Sequence, residues 1–349
     1  MFFASDNWAG SHPKITESLA RHAVGFVPAY GAGDLDRRVE ERFCEIFERE
    51  VAVFFVSTGT AANSLALTAV NRPGGVAFCH REAHVVSDEC GAPEYLSGGA
   101  RLFPVDGPLG RIDPARLEAA ISRFPREFVH HGQPIAVSIT QSTEIGTLYR
   151  LADIDAVAAI CRSHGLPLHM DGARFANALA SLGVTPAEMT WRRGIDILSF
   201  GGTKNGCWCA EAVVFMNPEQ AHEFPFLRKR AAQLFSKSRF VAAQFEAYFE
   251  TGLWLKTAAH ANAMAARLAG QIEASEVARL AWTPEANEVF MLMEREVARR
   301  LAEAGAIFGE WSPPASEAGL MNPGEGLYRL VTSFATTADE VDRFGGLLR

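Results

Sequence analysis

Residues 136–174 of the chain are AVSITQSTEIGTLYRLADIDAVAAICRSHGLPLHMDGAR, and they predict one strand–helix–strand unit. Ala136–Thr140 and Leu166–Met170 are short, mostly apolar runs of the length expected for buried strands. Asp153–His164 has the apolar spacing of an amphipathic helix and ends before Gly165, a residue type favoured just past a helix C-terminus. Two strands joined by a helix in this way normally lie parallel in one sheet.

The same alternation extends outward from this unit in both directions. Further strands are predicted at Val51–Val56, Val76–Cys79, Arg101–Val105 and Asp196–Phe200, and helices at Ala61–Val70, Val85–Cys90, Pro114–Ser122 and Arg174–Leu182. Strands that alternate with helices indicate an α/β fold with a mostly parallel sheet covered by helices on both faces.

The pattern changes after about residue 245. A long helical stretch, Glu246–Glu273, has a possible break at Gly252 and is followed by a second alternating segment. That segment predicts strands at Val289–Met293 and Tyr328–Val331 and helices at Glu294–Gly305 and Thr337–Leu348. We expect it to form a smaller C-terminal α/β domain.

Composition excludes several classes of protein. The 349 residues are 48% hydrophobic and 21% charged, close to globular averages, and the net charge is −8. This charge argues against a nucleic-acid or membrane surface, which needs clustered positive charge. The N-terminal residues lack signal-peptide features, and no apolar run is long enough to span a membrane. The six scattered cysteines predict reduced thiols and a cytoplasmic location.

A candidate anion site follows the strand Val51–Val56, in Ser57-Thr58-Gly59-Thr60-Ala61-Ala62-Asn63. A glycine lets the backbone approach a ligand closely, and the free N–H groups of a first helical turn favour a phosphate. The Thr60 hydroxyl adds a donor. Taken alone, the segment is explained more simply as a capped turn between strand and helix.

Two charged side chains stand at the ends of later strands. Asp171, in Leu168-His169-Met170-Asp171-Gly172-Ala173-Arg174, would be desolvated there and needs a cationic partner. A protonated ring nitrogen of a cofactor is one such partner, and an N-cap role for Asp171 is the alternative. Lys204, in Gly201-Gly202-Thr203-Lys204-Asn205-Gly206, suits a Schiff-base lysine, although loop lysines are often only solvated.

His84 follows the strand Val76–Cys79 and could stack on a planar cofactor, although a partly exposed surface histidine is the simpler explanation in isolation. His80 and His84 are spaced as in zinc proteases, but Glu82 stands at the wrong position between them. The chain has no C-x-x-C and no G-x-G-x-x-G. We therefore expect no metal site and no dinucleotide site.

Together, a phosphate-binding turn, a ring-stacking histidine, an aspartate for a pyridinium and a Schiff-base lysine supply what pyridoxal 5′-phosphate (PLP) requires. At this point the chain resembles the threonine aldolases of the β-eliminating lyase group, which have the PLP-dependent transferase-like fold type I. The most specific matches are His169–Arg174 and Thr203–Gly206, supported by Ser57–Asn63, Glu82–His84 and Tyr30-Gly31.

The resemblance implies a role for each matched residue. Lys204, His84 and Asp171 would be catalytic. Thr58, Gly59 and Thr60 would bind the phosphate, His84 would stack on the ring, and Asp171 would pair with the ring nitrogen. Arg174 would lie beside the ring oxygen and, with Ser5 and Arg329, bind the substrate carboxylate; Tyr30 would lie near the site.

The resemblance also implies an organisation of the chain. It implies an N-terminal arm over residues 1–20 that contributes to the active site, a large PLP-binding domain over 21–248 and a small domain over 249–349. A homodimer or homotetramer with shared active sites would follow. One departure concerns the base. The family has a histidine where this chain has Thr143, in Thr140-Gln141-Ser142-Thr143-Glu144. His84, Glu144 and a phosphate-linked water stay open as general base.

The expected activity is therefore retro-aldol cleavage of L-threonine or L-allo-threonine type β-hydroxy-α-amino acids to glycine and an aldehyde. Two alternatives remain open at this stage. One is a PLP-dependent β-eliminating lyase or racemase that acts on another amino acid. The other is a non-catalytic protein with the PLP-enzyme fold, against which the intact Lys204 argues.

Overall fold

A computed structural model of the chain describes residues 1–126 and 128–349. The α-helices, numbered in chain order, are α1 Pro13–Arg21, α2 Asp34–Phe47, α3 Gly59–Ala69, α4 His84–Ser87, α5 Ala92–Leu96, α6 Pro114–Ser122, α7 Leu151–His164, α8 Phe175–Leu182, α9 Pro186–Met189, α10 Phe224–Arg230, α11 Arg239–Phe249, α12 Leu253–Glu273, α13 Arg295–Glu303 and α14 Ala338–Leu347. The strands are β1 Ala52–Val56, β2 Gly75–His80, β3 Arg101–Val105, β4 Gln133–Thr140, β5 Leu168–Gly172, β6 Ile197–Gly201, β7 Glu211–Phe215, β8 Ala278–Leu280, β9 Glu288–Glu294, β10 Gly309–Trp311 and β11 Glu325–Val331.

Seven strands form the main sheet in the order β1-β7-β6-β5-β4-β2-β3. All neighbouring pairs are parallel except the two that involve β7, which runs antiparallel to both β1 and β6. The predicted mostly parallel α/β fold is confirmed. The strand–helix–strand unit is present as β4, α7 and β5, and Gly165 ends α7 in the left-handed conformation at φ 59°.

The central strands are buried on both faces, because every residue of β5, β6 and β7 is buried. A cluster of aromatic rings fills one side of the sheet, where Phe43 of α2 contacts Phe200, Phe245 and Phe249 edge-on at centroid distances of 5.0–5.3 Å. Such edge-to-face pairs add to the burial energy of the rings. Because Phe200 belongs to β6, the cluster packs against the strand that leads into the turn containing Lys204.

The structure differs from the sequence prediction in several local features. The strands β7, β8 and β10 are absent from the prediction, although the apolar run Ala212–Phe215 of β7 is as long as the predicted strand Val76–Cys79. The break predicted at Gly252 is confirmed, since the stretch over Glu246–Glu273 is divided into α11 and α12 where Thr251 and Gly252 adopt left-handed conformations at φ 54° and 69°. The helix expected over Val85–Cys90 is the single turn α4, which ends at Ser87.

A second, antiparallel sheet of order β10-β11-β9-β8 follows in the chain. Its core packs against α12 and α14 through side chains such as Leu268, Met291 and Phe344. The first residues of the chain join the edge of this sheet, where Phe2 bridges Ile307 and the Val331 N–H donates to the Phe3 carbonyl at 2.7 Å. The predicted boundaries at residues 20 and 248 stay predictions.

Helix length and composition bear on membrane association. None of the helices described here is both long enough and apolar enough to cross a bilayer.

Candidate active site

Several loops with polar side chains meet at one edge of the main sheet. Parallel strands place their carboxyl ends at the same edge, so the segments after β1, β2, β4, β5 and β6 converge there. The antiparallel strand β7 starts at that edge, which brings its first residue, Glu211, to the same place. The topology alone therefore assembles side chains from distant parts of the sequence.

A cavity of about 290 Å³ lies at this edge. The polar and charged side chains that line it are Asn7, Ser57, Thr58, Thr60, Asn63, His84, Glu89, Glu144, Asp171, Thr203, Lys204 and Glu211, together with Gly59 and Ala173. All the cofactor-binding residues expected from the sequence except Arg174 line this one cavity.

Lys204 lies in a short 3₁₀ turn, Thr203–Asn205, between β6 and β7. The next residue fixes this turn, because Asn205 Nδ2 donates to the Tyr248 hydroxyl at 2.7 Å and to the Trp254 carbonyl at 2.8 Å. Gly206 leaves the turn at φ 111°, a conformation that side chains disfavour. Lys204 is thus held in position by neighbouring residues whose own positions are fixed by hydrogen bonds and by the backbone conformation.

Asp171 at the end of β5 is buried, and both of its oxygens are oriented by the protein. Oδ2 accepts a hydrogen bond from Asn63 Nδ2 at 2.8 Å, and Oδ1 accepts one from the Ala173 N–H at 3.0 Å. Each carboxylate oxygen can accept a further bond. A carboxylate fixed in this way can hold a cationic ring nitrogen in the cavity.

The predicted phosphate turn starts α3 and faces the cavity. Thr58 is the N-cap, since its Oγ1 accepts a hydrogen bond from the Ala61 N–H at 3.1 Å. Gly59 and Thr60 are the first residues of the helix, where backbone N–H groups have no helical acceptor. A Cβ atom on Gly59 would meet no protein atom within 4 Å, so the turn leaves room for an anion.

His84 forms an acid–base pair with a buried carboxylate. Its Nδ1 lies 2.9 Å from Glu89 Oε1, which also accepts a hydrogen bond from Asn63 Nδ2 at 2.9 Å. The hydrogen bond to Glu89 raises the pKa of the His84 imidazole, and burial raises the pKa of the Glu89 carboxyl. Both groups therefore retain protons more strongly than they would in water. Asn63 connects this pair to Asp171.

Glu211 adds a second unusual carboxyl group to the cavity. Burial raises its pKa to about 7, although the Thr203 N–H at 3.3 Å and the charge of Lys204 act in the opposite direction. Glu211 is buried at the start of β7, and its side chain lines the cavity. Near neutral pH the cavity therefore contains an acid that exchanges a proton easily.

The N-terminal segment contacts the site through Asp6 and Asn7, which follow the predicted residue Ser5. Ser5 caps a 3₁₀ turn by accepting a hydrogen bond from the Asn7 N–H at 3.1 Å, and it lines a neighbouring cavity with Phe2 and Trp8. The turn places Asn7 in the Lys204 cavity and Asp6 on Arg174.

The two predicted substrate arginines lie close together beside this cavity. Arg174 is buried and binds Asp6 through two hydrogen bonds, of 2.8 Å and 3.1 Å. Burial tends to raise the pKa of Asp6, but the charges of Arg174 and Lys204 outweigh it and lower that pKa. Arg329, on β11, stacks on Trp311 at 4.2 Å and meets Arg174 through Glu288.

Tyr30 is another expected site residue that does not line the cavity. It is 54% exposed, and its ring contacts the Lys229 amine at 5.3 Å. It does not line the cavity of Lys204 in this single chain.

Four buried acids of the site were missed in the sequence: Asp6, Glu89, Glu211 and Glu288. A usable signal existed for two of them, since Glu211 and Glu288 each stand directly before an apolar strand, where a charged residue needs a reason to be buried. Glu89 carried no such signal, because it lies in an irregular segment between short helices.

The residues at this edge fit PLP. They offer an amine, an oriented carboxylate and an open helix N-terminus around one cavity, which correspond to the aldehyde, ring nitrogen and phosphate of that cofactor. Within residues 1–126 and 128–349, no group of three or more His, Cys, Asp or Glu side chains could hold a metal ion. A mixed seven-stranded sheet with this arrangement defines the class of fold type I PLP-dependent enzymes.

Comparison with known proteins identifies the family within this class of enzymes. The family described as beta-eliminating lyase matches residues 3–296. The chain is 42% identical over 307 residues to a low-specificity L-threonine aldolase of a Pseudomonas species, and the match covers 88% of each chain. It is 40% identical over 306 residues to the protein of the same name from Pseudomonas aeruginosa, where the match again covers 88% of each chain. A threonine aldolase structure from Leishmania major superposes with a TM-score of 0.91 at 30% identity, covering 99% of this chain and 98% of that one.

The chain belongs to the beta-eliminating lyase family and is thus an enzyme of the lyase type. This result confirms the family resemblance and the fold that the sequence motifs predicted.

Proposed function

We propose that the protein cleaves β-hydroxy-α-amino acids of the L-threonine and L-allo-threonine type into glycine and an aldehyde, with PLP as cofactor. The observation that carries the proposal is the shared cavity of Lys204, Asp171 and His84 at the start of α3. The relatives named low-specificity L-threonine aldolase, at 40–42% identity, support the same reaction.

Each side chain has a defined task in this reaction. Lys204 holds the cofactor through its amine, Asp171 keeps the ring nitrogen protonated, and the Thr58–Thr60 turn binds the phosphate. Bound PLP supplies an electron sink for the electron pair left at Cα when the Cα–Cβ bond breaks. Arg329 and Arg174 hold the substrate carboxylate, where a guanidinium fork suits bidentate binding. A contact of Ser5 with that carboxylate stays a prediction, since Ser5 lines the neighbouring cavity.

A proton must leave the substrate's β-hydroxyl group as the aldehyde forms. Two side chains of the cavity can accept it, His84 through the nitrogen that Glu89 does not occupy and Glu144 through its carboxylate. No histidine stands at Thr143, where the family pattern has one; the Thr143 hydroxyl instead bonds Thr147 at 2.8 Å. His84→Asn and Glu144→Gln variants, assayed for aldehyde release, identify which of the two groups is the base.

The proposal is tested with the purified protein, its Lys204→Ala variant and, as a matched control, Lys229→Ala on the surface. The wild type and the control should absorb visible light and release aldehyde from L-threonine, L-allo-threonine or phenylserine, and Lys204→Ala should do neither. A visible band without aldehyde from any of the three would favour β-elimination or racemisation. An unchanged spectrum in Lys204→Ala would overturn the assignment.

We also propose that the protein works as a homodimer or homotetramer. The segment around Tyr30 exposes Val24, Phe26 and Val27, an apolar surface that a second copy of the chain would cover. Tyr30, which does not line the Lys204 cavity of its own chain, would then lie near the active site of a partner chain. Light scattering should give a multiple of the chain mass, and Phe26→Asp should lower both that mass and the activity.

The cellular location is a further part of the proposal. All six cysteines are free thiols, which suits the reducing conditions of the cytoplasm. Fractionation of the source cells, followed by an aldehyde-release assay of each fraction, tests the cytoplasmic location.

A further inference from the structure

A buried carboxylate lies between the two arginines that are expected to bind the substrate. Glu288, the first residue of β9, has a side chain with no exposed surface. Its Oε2 is 3.3 Å from Arg174 Nη1, and its Oε1 is 3.5 Å from Arg329 Nη1. One internal carboxylate thus spans both guanidinium groups, as a substrate carboxylate would.

The fold fixes all three side chains. β9 and β11 are paired so that Glu288 faces Val331 and Phe290 faces Arg329, which puts Glu288 and Arg329 two residues apart along the pair. Arg329 is stacked on Trp311, and Arg174 is held from the other side by Asp6. The strand pairing therefore fixes the backbone of Glu288 relative to that of Arg329.

The charges around Glu288 come from four other groups. Arg174 and Arg329 are positive, and Asp6 and Glu144 are the acids that face the cluster from the N-terminal turn and from the loop after β4. With Glu288 ionised, the three carboxylates and the two arginines carry a net formal charge of −1. With Glu288 protonated, the net formal charge is 0, so protonation removes the excess negative charge that would repel an incoming carboxylate.

We propose that Glu288 is a positioning residue that takes up a proton from solvent when the substrate carboxylate binds to Arg174 and Arg329. This inference rests on the proposed function, since it concerns how the same substrate is held. In the free enzyme the ionised Glu288 pairs with both guanidinium groups and keeps them in place. When Glu288 is protonated it loses its negative charge, and both guanidinium groups can then pair with the substrate carboxylate.

The electrostatics of the cluster support this exchange. Burial is the largest influence and raises the pKa of Glu288 to about 7, with Glu144 and Asp6 acting in the same direction and the two arginines against it. Oε2 is buried and has no aligned hydrogen-bond donor, so the ionised form is incompletely satisfied. A second carboxylate brought beside it raises the pKa of Glu288 further.

A pH dependence of binding follows with a defined sign. Below pH 7 Glu288 is already protonated, so binding takes up no proton there. Above pH 7 only the protonated fraction binds the substrate well, so the dissociation constant rises about tenfold for each pH unit. Replacing Glu288 by a neutral residue removes this rise.

The experiment uses the PLP-loaded enzyme, with glycine, the proposed product, as probe. Titration calorimetry at pH 8 in buffers of different ionisation enthalpy gives the number of protons taken up, for the wild type, Glu288→Gln and the control Glu325→Gln. Protons released by the glycine ammonium group are common to all three proteins. We expect about one proton more in the wild type and the control than in Glu288→Gln, and glycine binding about tenfold tighter in Glu288→Gln.

The outcomes separate this inference from the function itself. Equal proton counts in the wild type and Glu288→Gln, with aldehyde still released from L-threonine, would overturn the inference alone. Absence of both glycine binding and aldehyde release in the wild type would overturn the proposed function. If Glu288→Gln does not fold, the competitive inhibition constant of 3-hydroxybutyrate on the wild type decides the matter. Because this probe has no amine, its constant should rise with pH above 7, and a constant value from pH 6 to 9 contradicts the inference.

Discussion

Asp6 and Arg174 bind each other through two roughly parallel hydrogen bonds, Nε to Oδ2 at 2.8 Å and Nη2 to Oδ1 at 3.1 Å, although 168 residues separate them in the chain. Both side chains are buried. The pair therefore attaches the N-terminal segment to the centre of the molecule and fixes the position of an expected substrate arginine.

Removal of Asp6 should destabilise the protein strongly. Asp6→Ala leaves the Arg174 guanidinium buried with one of its two carboxylates missing, and breaking a buried pair in this way costs about 3–5 kcal/mol. Urea denaturation measures the loss. The control Asp155→Ala breaks a half-exposed pair with Arg193, at 2.8 Å, and should cost about 0–1 kcal/mol. Equal losses in both variants would mean that Asp6 has no special structural role.

Glu89→Gln should shift the titration of His84. The hydrogen bond that His84 donates to the Glu89 carboxylate raises the pKa of His84, so replacement of that carboxylate lets the imidazole deprotonate at lower pH. NMR titration of the histidines should show one resonance moved to lower pH, and any limb of the rate profile that His84 controls should move with it. Glu118→Gln, which alters the surface pair with His164, should leave the rate profile unchanged.

Glu211→Gln should change how stability depends on pH. The pKa of Glu211 is raised from 4.5 to about 7 in the folded protein. Its protonated form therefore stabilises the fold below pH 4.5, and this contribution, at most about 3 kcal/mol, is lost as the pH rises to 7. Glutamine keeps the side chain neutral.

Measured by urea denaturation from pH 5 to pH 8, the stability of Glu211→Gln relative to the wild type should therefore increase with pH. The surface variant Glu219→Gln should show no such trend. A pH-independent difference would mean that Glu211 is ionised throughout.

Gly201→Ala should disturb the Lys204 turn. A Cβ atom at Gly201 would lie 2.5 Å from the Ala173 carbonyl oxygen, so β6 would have to move away from the loop after β5. We expect lower stability together with a loss of aldehyde release of tenfold or more, since small displacements of catalytic groups are costly. Gly270→Ala, at an exposed position in the last turns of α12 with no neighbouring atom within 4 Å of the added Cβ, should instead stabilise by about 1 kcal/mol.

The sequence contained most of the site because the fold puts strand ends together. Once Asp171 and Lys204 were assigned to the ends of adjacent strands, parallel pairing was enough to bring them to one edge. The strand–helix–strand unit was predictable for a similar reason, since its helix length and its terminal Gly165 are local signals.

The site residues that the sequence did not reveal are brought to the cavity by contacts between segments that are distant in the chain. The antiparallel direction of β7 decides where Glu211 lies, and nothing in residues 211–215 encodes that direction. Likewise, Glu288 meets Arg174 and Arg329 only because β9 pairs with β11 beside the end of β5. Ser5 was selected from the resemblance, whereas its neighbours Asp6 and Asn7 make the contacts with the site in this chain.

The reversed strand β7 has an evolutionary consequence. Lys204 lies on the connection 202–210, whose two ends are fixed to adjacent antiparallel strands by bonds such as Gly202 N–H to the Ala210 carbonyl at 2.9 Å. Insertions there would displace the amine, so relatives built on this scaffold should keep the lysine-bearing connection constant in length. Their substrate preferences should differ through replacement of side chains around the cavity and not through insertions next to Lys204.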